Sequence, residues 1–288
     1  MPFSRGTRRE RQRRWKSRGM MFLLMVAALL GAFPFVYISW YVLQRGFSAL
    51  DWAFFTQLPK GPGETGGGMA NAILGSGTLI FLASLAGIPW GMAVGVYLSE
   101  YSFGKTAKVL RFAVDLLASV PSIVVGIFIY GLIVVPFGFS AYAGGVALMI
   151  IMIPVVARST EEILKLIPSH IREAGLALGI PRWKVISRII LPGCRAGVIT
   201  GVMLAIARIA GETAPLLFTA FGNQFYSLSL NQATASLPVQ ISTFAKSGFA
   251  DWERQAWAGA LVLVFFVLII NLTTRLIMRP RGAKAHAG

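Results

Sequence analysis

Apolar stretches long enough to cross a bilayer recur along the whole of this 288-residue chain, and that recurrence excludes a soluble globular fold. Six spans can be drawn, near residues 20–43, 70–98, 112–136, 141–157, 196–220 and 256–278. With 56% hydrophobic and 13% charged residues, the expected class is an all-α polytopic membrane protein with six transmembrane helices. The first span follows a basic start, which also suits a signal peptide. Its apolar run is too long for that, and no small-x-small cleavage site ends it. Pro34 inside it is expected as a tolerated kink.

The formal charge of +16 does not point to nucleic acid, because of where it lies. With the N-terminus inside, the inner segments hold 22 basic residues and the outer loops four. Such a bias places both termini in the cytoplasm. It also attracts anionic membrane lipid at the inner leaflet. The expected organisation is a basic tail (1–19), a first transmembrane helix (20–43), an outer loop (44–69), a membrane core (70–278) and a second basic tail (279–288). Within the outer loop, Lys60 to Gly68 has the composition of a flexible turn.

Chemistry of the enzymatic kind is hard to find. Cys194 is alone, His170 and His286 lie 116 residues apart, and no cluster has metal-ligand spacing. Gly104-Lys105-Thr106 ends like a phosphate loop, but position 99 is Ser instead of Gly. No cofactor and no ATP site are expected in this chain. A membrane-embedded enzyme would need motifs the chain lacks, such as G-x-S-x-G or H-E-x-x-H.

Glycines form two stripes. Gly87, Gly91 and Gly95 share one face of the second span; Gly193, Gly197, Gly201 and Ala205 do so in the fifth. Stripes of this kind let helix backbones approach closely in lipid. Asp115 lies one turn after Arg111, where an intrahelical ion pair is expected.

The one long charged interruption is 158–195, with seven of the 27 basic and three of the 11 acidic residues. Ser169 is placed to cap a short helix over His170 to Leu178. Gly179 supplies a left-handed end and Pro181 starts a second helix. The unit reads as helix–glycine–helix at the membrane surface.

Glu173, Ala174, Gly175 and Gly179, followed by Ile189, Leu191 and Pro192, resemble the EAA loop of ABC-transporter permeases, EAA-x3-G-x9-I-x-L-P. Gly175 stands where that pattern has Ala. The resemblance implies an ABC type I permease-like fold, in which these residues form a coupling helix docked on an ATPase subunit.

Arg208 and Glu212 are charges within the fifth span, four residues apart, with Thr213 and Pro215 beside them. Two readings stand: a structural ion pair, or a substrate path in which a guanidinium meets an oxyanion. Phosphate keeps a proton that Glu212 could accept, whereas sulfate at neutral pH has none. PSIVVGIF in the third span, ARIAGETAPLLFTAFGNQF (Ala207 to Phe225), LPVQI (Leu237 to Ile241) and the last apolar run are similar to the A-type subunit of phosphate ABC permeases. That family implies a second permease subunit of related fold, two ATP-binding subunits, an extracytoplasmic phosphate-binding protein and inorganic phosphate as cargo. It also implies a bacterial inner-membrane location. An ABC permease for another oxyanion or small solute, and an ion channel, remain the competing functions.

The charge asymmetry generates a direct test. In a Cys194→Ser background, cysteines placed at Gly66 or Ser247 should react with an impermeant reagent added outside intact cells. A cysteine at Ser169 should not.

Overall fold

The computed structural model describes residues 8–101, 104–227 and 229–277, nearly all of them helical or in short connections. The first basic tail is described from Arg8 onward, where it already belongs to a helix; the tail 279–288 lies outside the described residues. Helix α1 (Arg8–Phe47) continues through Pro34. A short α2 (Trp52–Thr56) leads to α3 (Ala70–Glu100). Then come α4 (Lys105–Ser119), α5 (Ser122–Phe137), α6 (Ala141–Lys165) and α7 (Ser169–Ala177). The chain continues through α8 (Arg182–Ala210), α9 (Ala214–Thr219), α10 (Leu237–Ala245) and α11 (Ala250–Ile277).

Among the described residues, five helices are individually long and apolar enough to cross a membrane, and the bent pair α4–α5 makes six if counted as one span. The expectation of a plain third span over 112–136 is therefore corrected. Val120 and Pro121 are both extended (ψ 129° and 133°), and the two helices meet at 98°. A residue before proline is pushed out of the α region by the proline ring, so the chain turns at Ser119-Val120-Pro121. Helix α4 is amphipathic: Ala107 and Val114 are buried, whereas Lys105, Lys108, Val109 and Phe112 are exposed.

Two further prolines leave a gentler mark. Pro136 and Pro192 each lack the N–H that would bond the carbonyl four residues back. In both cases a π turn precedes the proline, at Tyr130–Val134 and Ile186–Ile190. The helices widen for one turn and go on.

The core is the pair α3 and α6, the most extensive helix contact in the chain. They run parallel and in register, because Gly87 meets Met152, Gly91 meets Val156 and Gly95 meets Thr160. A Cβ on Gly91 would sit 2.7 Å from Val156 Cβ, and one on Gly95 would sit 2.6 Å from Thr160 Cβ. Leu79, Ala83, Ala147, Leu148 and Met152 complete the seam, all fully buried. Antiparallel α8 packs on the same α6, with Gly197 against Ile163 and Gly201 against Ser159. Gly193, the first of that stripe, faces open space.

Helix α1 leans on α11 near its end, through Gly46 against Leu261 and Tyr41 edge-on to Trp257 (centroids 5.0 Å). The Gly-rich loop at 60–68 is a turn, as expected, but it is pinned to α11. Asp251 accepts from the Gly66 amide (3.1 Å), and Gln255 donates to the Gly66 carbonyl (2.8 Å).

Gly91→Leu should overpack the α3–α6 seam, lowering the stability of the purified protein by about 1–3 kcal/mol. Gly77→Ala, on the uncovered face of α3 with nothing within 4 Å, should hold or slightly raise it, by up to about 1 kcal/mol of helix propensity. Thermal melting in detergent separates the two.

Candidate functional site

The ends of α3 and α6 that meet the loop 158–195 carry two buried carboxylates, Glu100 and Glu161 (2% and 1% exposed). Arg111 on α4 donates to Glu161 at 2.7 Å, and Lys165 donates to the same oxygen at 2.6 Å. Asp115 pairs with Arg158 on α6. The expected Arg111–Asp115 pair is thus corrected: both residues reach across to α6. Antiparallel packing of α4 on α6 puts better partners opposite each of them than its own helix offers.

Arg172 on α7 donates to both oxygens of Glu100 (2.7 to 3.0 Å) and to the Leu164 carbonyl (2.7 Å), and also bonds the carbonyl of Ile167. The Glu100 carboxylate raises the guanidinium above its ordinary pKa. Arg182, at the start of α8, donates to the Glu100 carbonyl and covers the Tyr101 ring at 4.9 Å. Arg111 adds a bond to the Leu98 carbonyl (3.3 Å). The last carbonyls of a helix have no partner within it, and its C-terminus is negative. Here three arginines from three other elements gather around that one end.

The four residues expected to form the coupling helix differ in exposure. Glu173 and Ala174 are exposed, together with Leu176 and Leu178. Gly175 is buried, and a Cβ there would lie 2.9 Å from Val185 Cγ2 on α8. That is why glycine can stand in the alanine position: the two helices of the loop meet at this point. Gly179 has φ +74°, its amide bonds the Leu176 carbonyl, and Ile180 bonds Gly175. This is a Schellman ending of the kind expected of the sequence. Ser169 is not the cap; it is the first helical residue after Pro168, and no side chain caps α7. Pro181 stands just before α8 instead of within its first turn.

Arg208 and Glu212 are not on one helical face. Helix α8 ends at Ala210, the Gly211 and Glu212 amides tighten onto Arg208 and Ile209, and Pro215 opens the new helix α9. The expected fifth span to residue 220 is therefore two helices. No ion pair joins the two charges among the described residues. Arg208 is exposed, and Glu212 and Thr213 are half-buried in the break. Arg208 ends an uncovered stripe of α8 with Ala196, Thr200 and Leu204. Behind the break, Gly126 of α5 lies against Pro215, where a Cβ would come 2.6 Å from Pro215 Cα.

Glu100, Glu161 and Arg172 went unnoticed in the sequence. The signal was there for Glu100 and Glu161: each is an acid at the end of an apolar run. A cavity of about 300 Å³ also formed unannounced, beyond the break, between Asn71, Phe221, Ser236 and Gln240. Phe221 lines it with φ +64°, a conformation uncommon for a residue with a side chain.

Parallel α3 and α6, a charged helix–glycine–helix loop, and a broken span that packs on α6 while leaving Arg208 exposed define a membrane permease subunit of the ABC type. The chain belongs to the family described as binding-protein-dependent transport system inner membrane component, whose model matches residues 87–279. It is 46% identical to the phosphate transport system permease protein PstA of Yersinia pestis, over 96% of this chain and 95% of that one. It is 41% identical to PstA of Mycobacterium leprae, over 91% and 88%. Among solved structures, a bacterial alginate ABC transporter in complex with its alginate-bound periplasmic protein matches with a TM-score of 0.67. That match is 16% identical and covers 92% of this chain and 95% of that one. The inward-facing MetNI methionine transporter matches at 0.61 and 19% identity, over 73% and 94%. These last two speak for the fold alone. The chain is an inner-membrane transport component and not itself an enzyme.

Gly175→Ala should gain about 1 kcal/mol of helix propensity and lose more by crowding Val185, so the purified protein should melt lower. Adding Val185→Ala should recover most of the loss. Melting temperatures of the single and double variants check this.

Proposed function

We propose that this chain is a permease subunit of an ABC importer for inorganic phosphate. It would pair with a second permease subunit and be driven by two ATP-binding subunits, with cargo delivered by an extracytoplasmic binding protein. Both termini and the loop 158–195 face the cytoplasm in this reading. The exposed Glu173, Ala174 and Leu178 form the surface offered to the ATPase.

The observation that carries the proposal is the course of α8. It runs unbroken from Arg182 beside the docking loop to Ala210, two residues past Arg208. At 1.5 Å per residue it is a rod of about 44 Å. One end follows the coupling helix, and the other carries a guanidinium on a face this chain leaves uncovered. Exposing that charge to lipid would cost roughly 2.5–3.5 kcal/mol. The stripe is therefore suited to a partner subunit and a wet path between the two. Arginine's planar fork matches phosphate oxygens, and Glu212 in the break can accept a phosphate proton. The relatives' phosphate-transport names support the cargo.

Because Arg208 has no ion-pair partner among the described residues, Arg208→Gln should assemble normally. Phosphate uptake by the assembled complex should nevertheless fall about tenfold or more, the loss of one charge-assisted bond. Arg208→Lys should also lose uptake while expression holds. Uptake near wild type in both would remove Arg208 from the path.

A further inference from the structure

The link between α7 and α8 is a weak place to transmit force. It consists of Gly179 in the left-handed region, exposed and with nothing within 4 Å of its missing Cβ, then Ile180 and Pro181. Pressure applied to the exposed face of α7 could turn that helix about Gly179 without moving α8. The link is backed by an apolar cluster of Leu164 on α6 with Val185, Ile186 and Ile190 on α8. An apolar cluster resists separation but is non-directional, so it does little to oppose sliding or rotation.

Direction comes from the arginines. Arg172 binds α7 to both oxygens of Glu100 at the end of α3, to the carbonyl of Leu164 in the last turn of α6 and to that of Ile167 just after it. Arg182 binds the first turn of α8 to the backbone of the same Glu100. Helices α7 and α8 are thus fastened to one third body. We propose that Arg172 is a positioning residue, a latch on Glu100 that makes α3, α6, α7 and α8 move together when the coupling helix is pushed. The inference rests on the permease reading above and adds the route by which movement reaches both the α3–α6 core and Arg208.

The geometry sets the expectations. A lysine keeps the charge but cannot span the carboxylate and two carbonyls, which a forked guanidinium does. Glu100→Gln leaves Arg172 its carbonyl bonds and removes the ionic anchor.

The test uses the complete transporter in vesicles: this chain, its partner permease, the ATPase subunits and the phosphate-loaded binding protein. Phosphate moved per ATP hydrolysed is measured for equal amounts of assembled complex. Arg172→Gln and Glu100→Gln should each keep basal ATP hydrolysis and lower the ratio at least about fivefold, the lower end of ordinary coupling between sites. Arg172→Lys should fall between them and wild type. Arg188→Gln, an exposed arginine on the same loop, should keep the wild-type ratio. A purely structural bond predicts something else: less complex, with an unchanged ratio in whatever assembles. That result, or failure of both Gln variants to assemble, overturns the latch. A wild-type complex that moves no phosphate counts against the permease reading alone. The latch is then read from stimulation of ATP hydrolysis by the binding protein, which Arg172→Gln should abolish and Arg188→Gln should not.

Discussion

Lipid tails are as apolar as leucine, so helices in a bilayer gain little from simply hiding apolar surface from one another. What holds this chain together is close approach, and the seam of Gly87, Gly91 and Gly95 with Met152, Val156 and Thr160 provides it. Much of the rest is mounted on that pair. Helix α8 uses the other side of α6, α4 bridges the ends of both, and the loop 158–195 grows directly from α6. Because α3 and α6 are parallel, their C-termini emerge together. Two negative helix ends side by side call for cations, and the arginines of the loop supply them.

The ionic cluster at that end is both a liability and a constraint. Removing one partner of a buried pair typically costs about 3–5 kcal/mol, because the other charge is stranded. Glu100 is enclosed, whereas Arg172 is half-buried. Apolar residues of similar size could fill the space, but they would not choose one angle between α7 and α3. The bonds from Arg172 and Arg182 do choose it. In the proposed coupling role the loop has to convert a push into a defined displacement, and directional hydrogen bonds suit that need better than packing does.

At the far end of α8 the backbone itself is irregular. The break at Gly211 to Thr213 and the bend at Val120-Pro121 belong to segments that pack on each other, α9 against α5 through Pro215 and Gly126. Free backbone groups at membrane depth are tolerated where protein or a water-filled path receives them. Arg208, exposed beside this break, is consistent with such a path at the border of the subunit.

Much of the protein was legible in its sequence because hydropathy, glycine spacing and charge bias are local properties read along one strand of text. The helical membrane class, both glycine stripes, the left-handed Gly179 and the helix–glycine–helix loop all follow from such patterns. The third span was misread because a proline's effect depends on its surroundings: Pro34, Pro89 and Pro154 sit inside continuous helices, whereas Pro121 turns the chain by 98°. Arg208 and Glu212 were placed on one face by a spacing that holds only while the helix lasts. Glu100 and Arg172 are 72 residues apart, and no periodicity or count could match them. Which carboxylate each arginine would find was decided only when parallel packing of α3 and α6 brought two helix ends to the same place. There, low dielectric surroundings make an unpaired charge costly and a paired one specific.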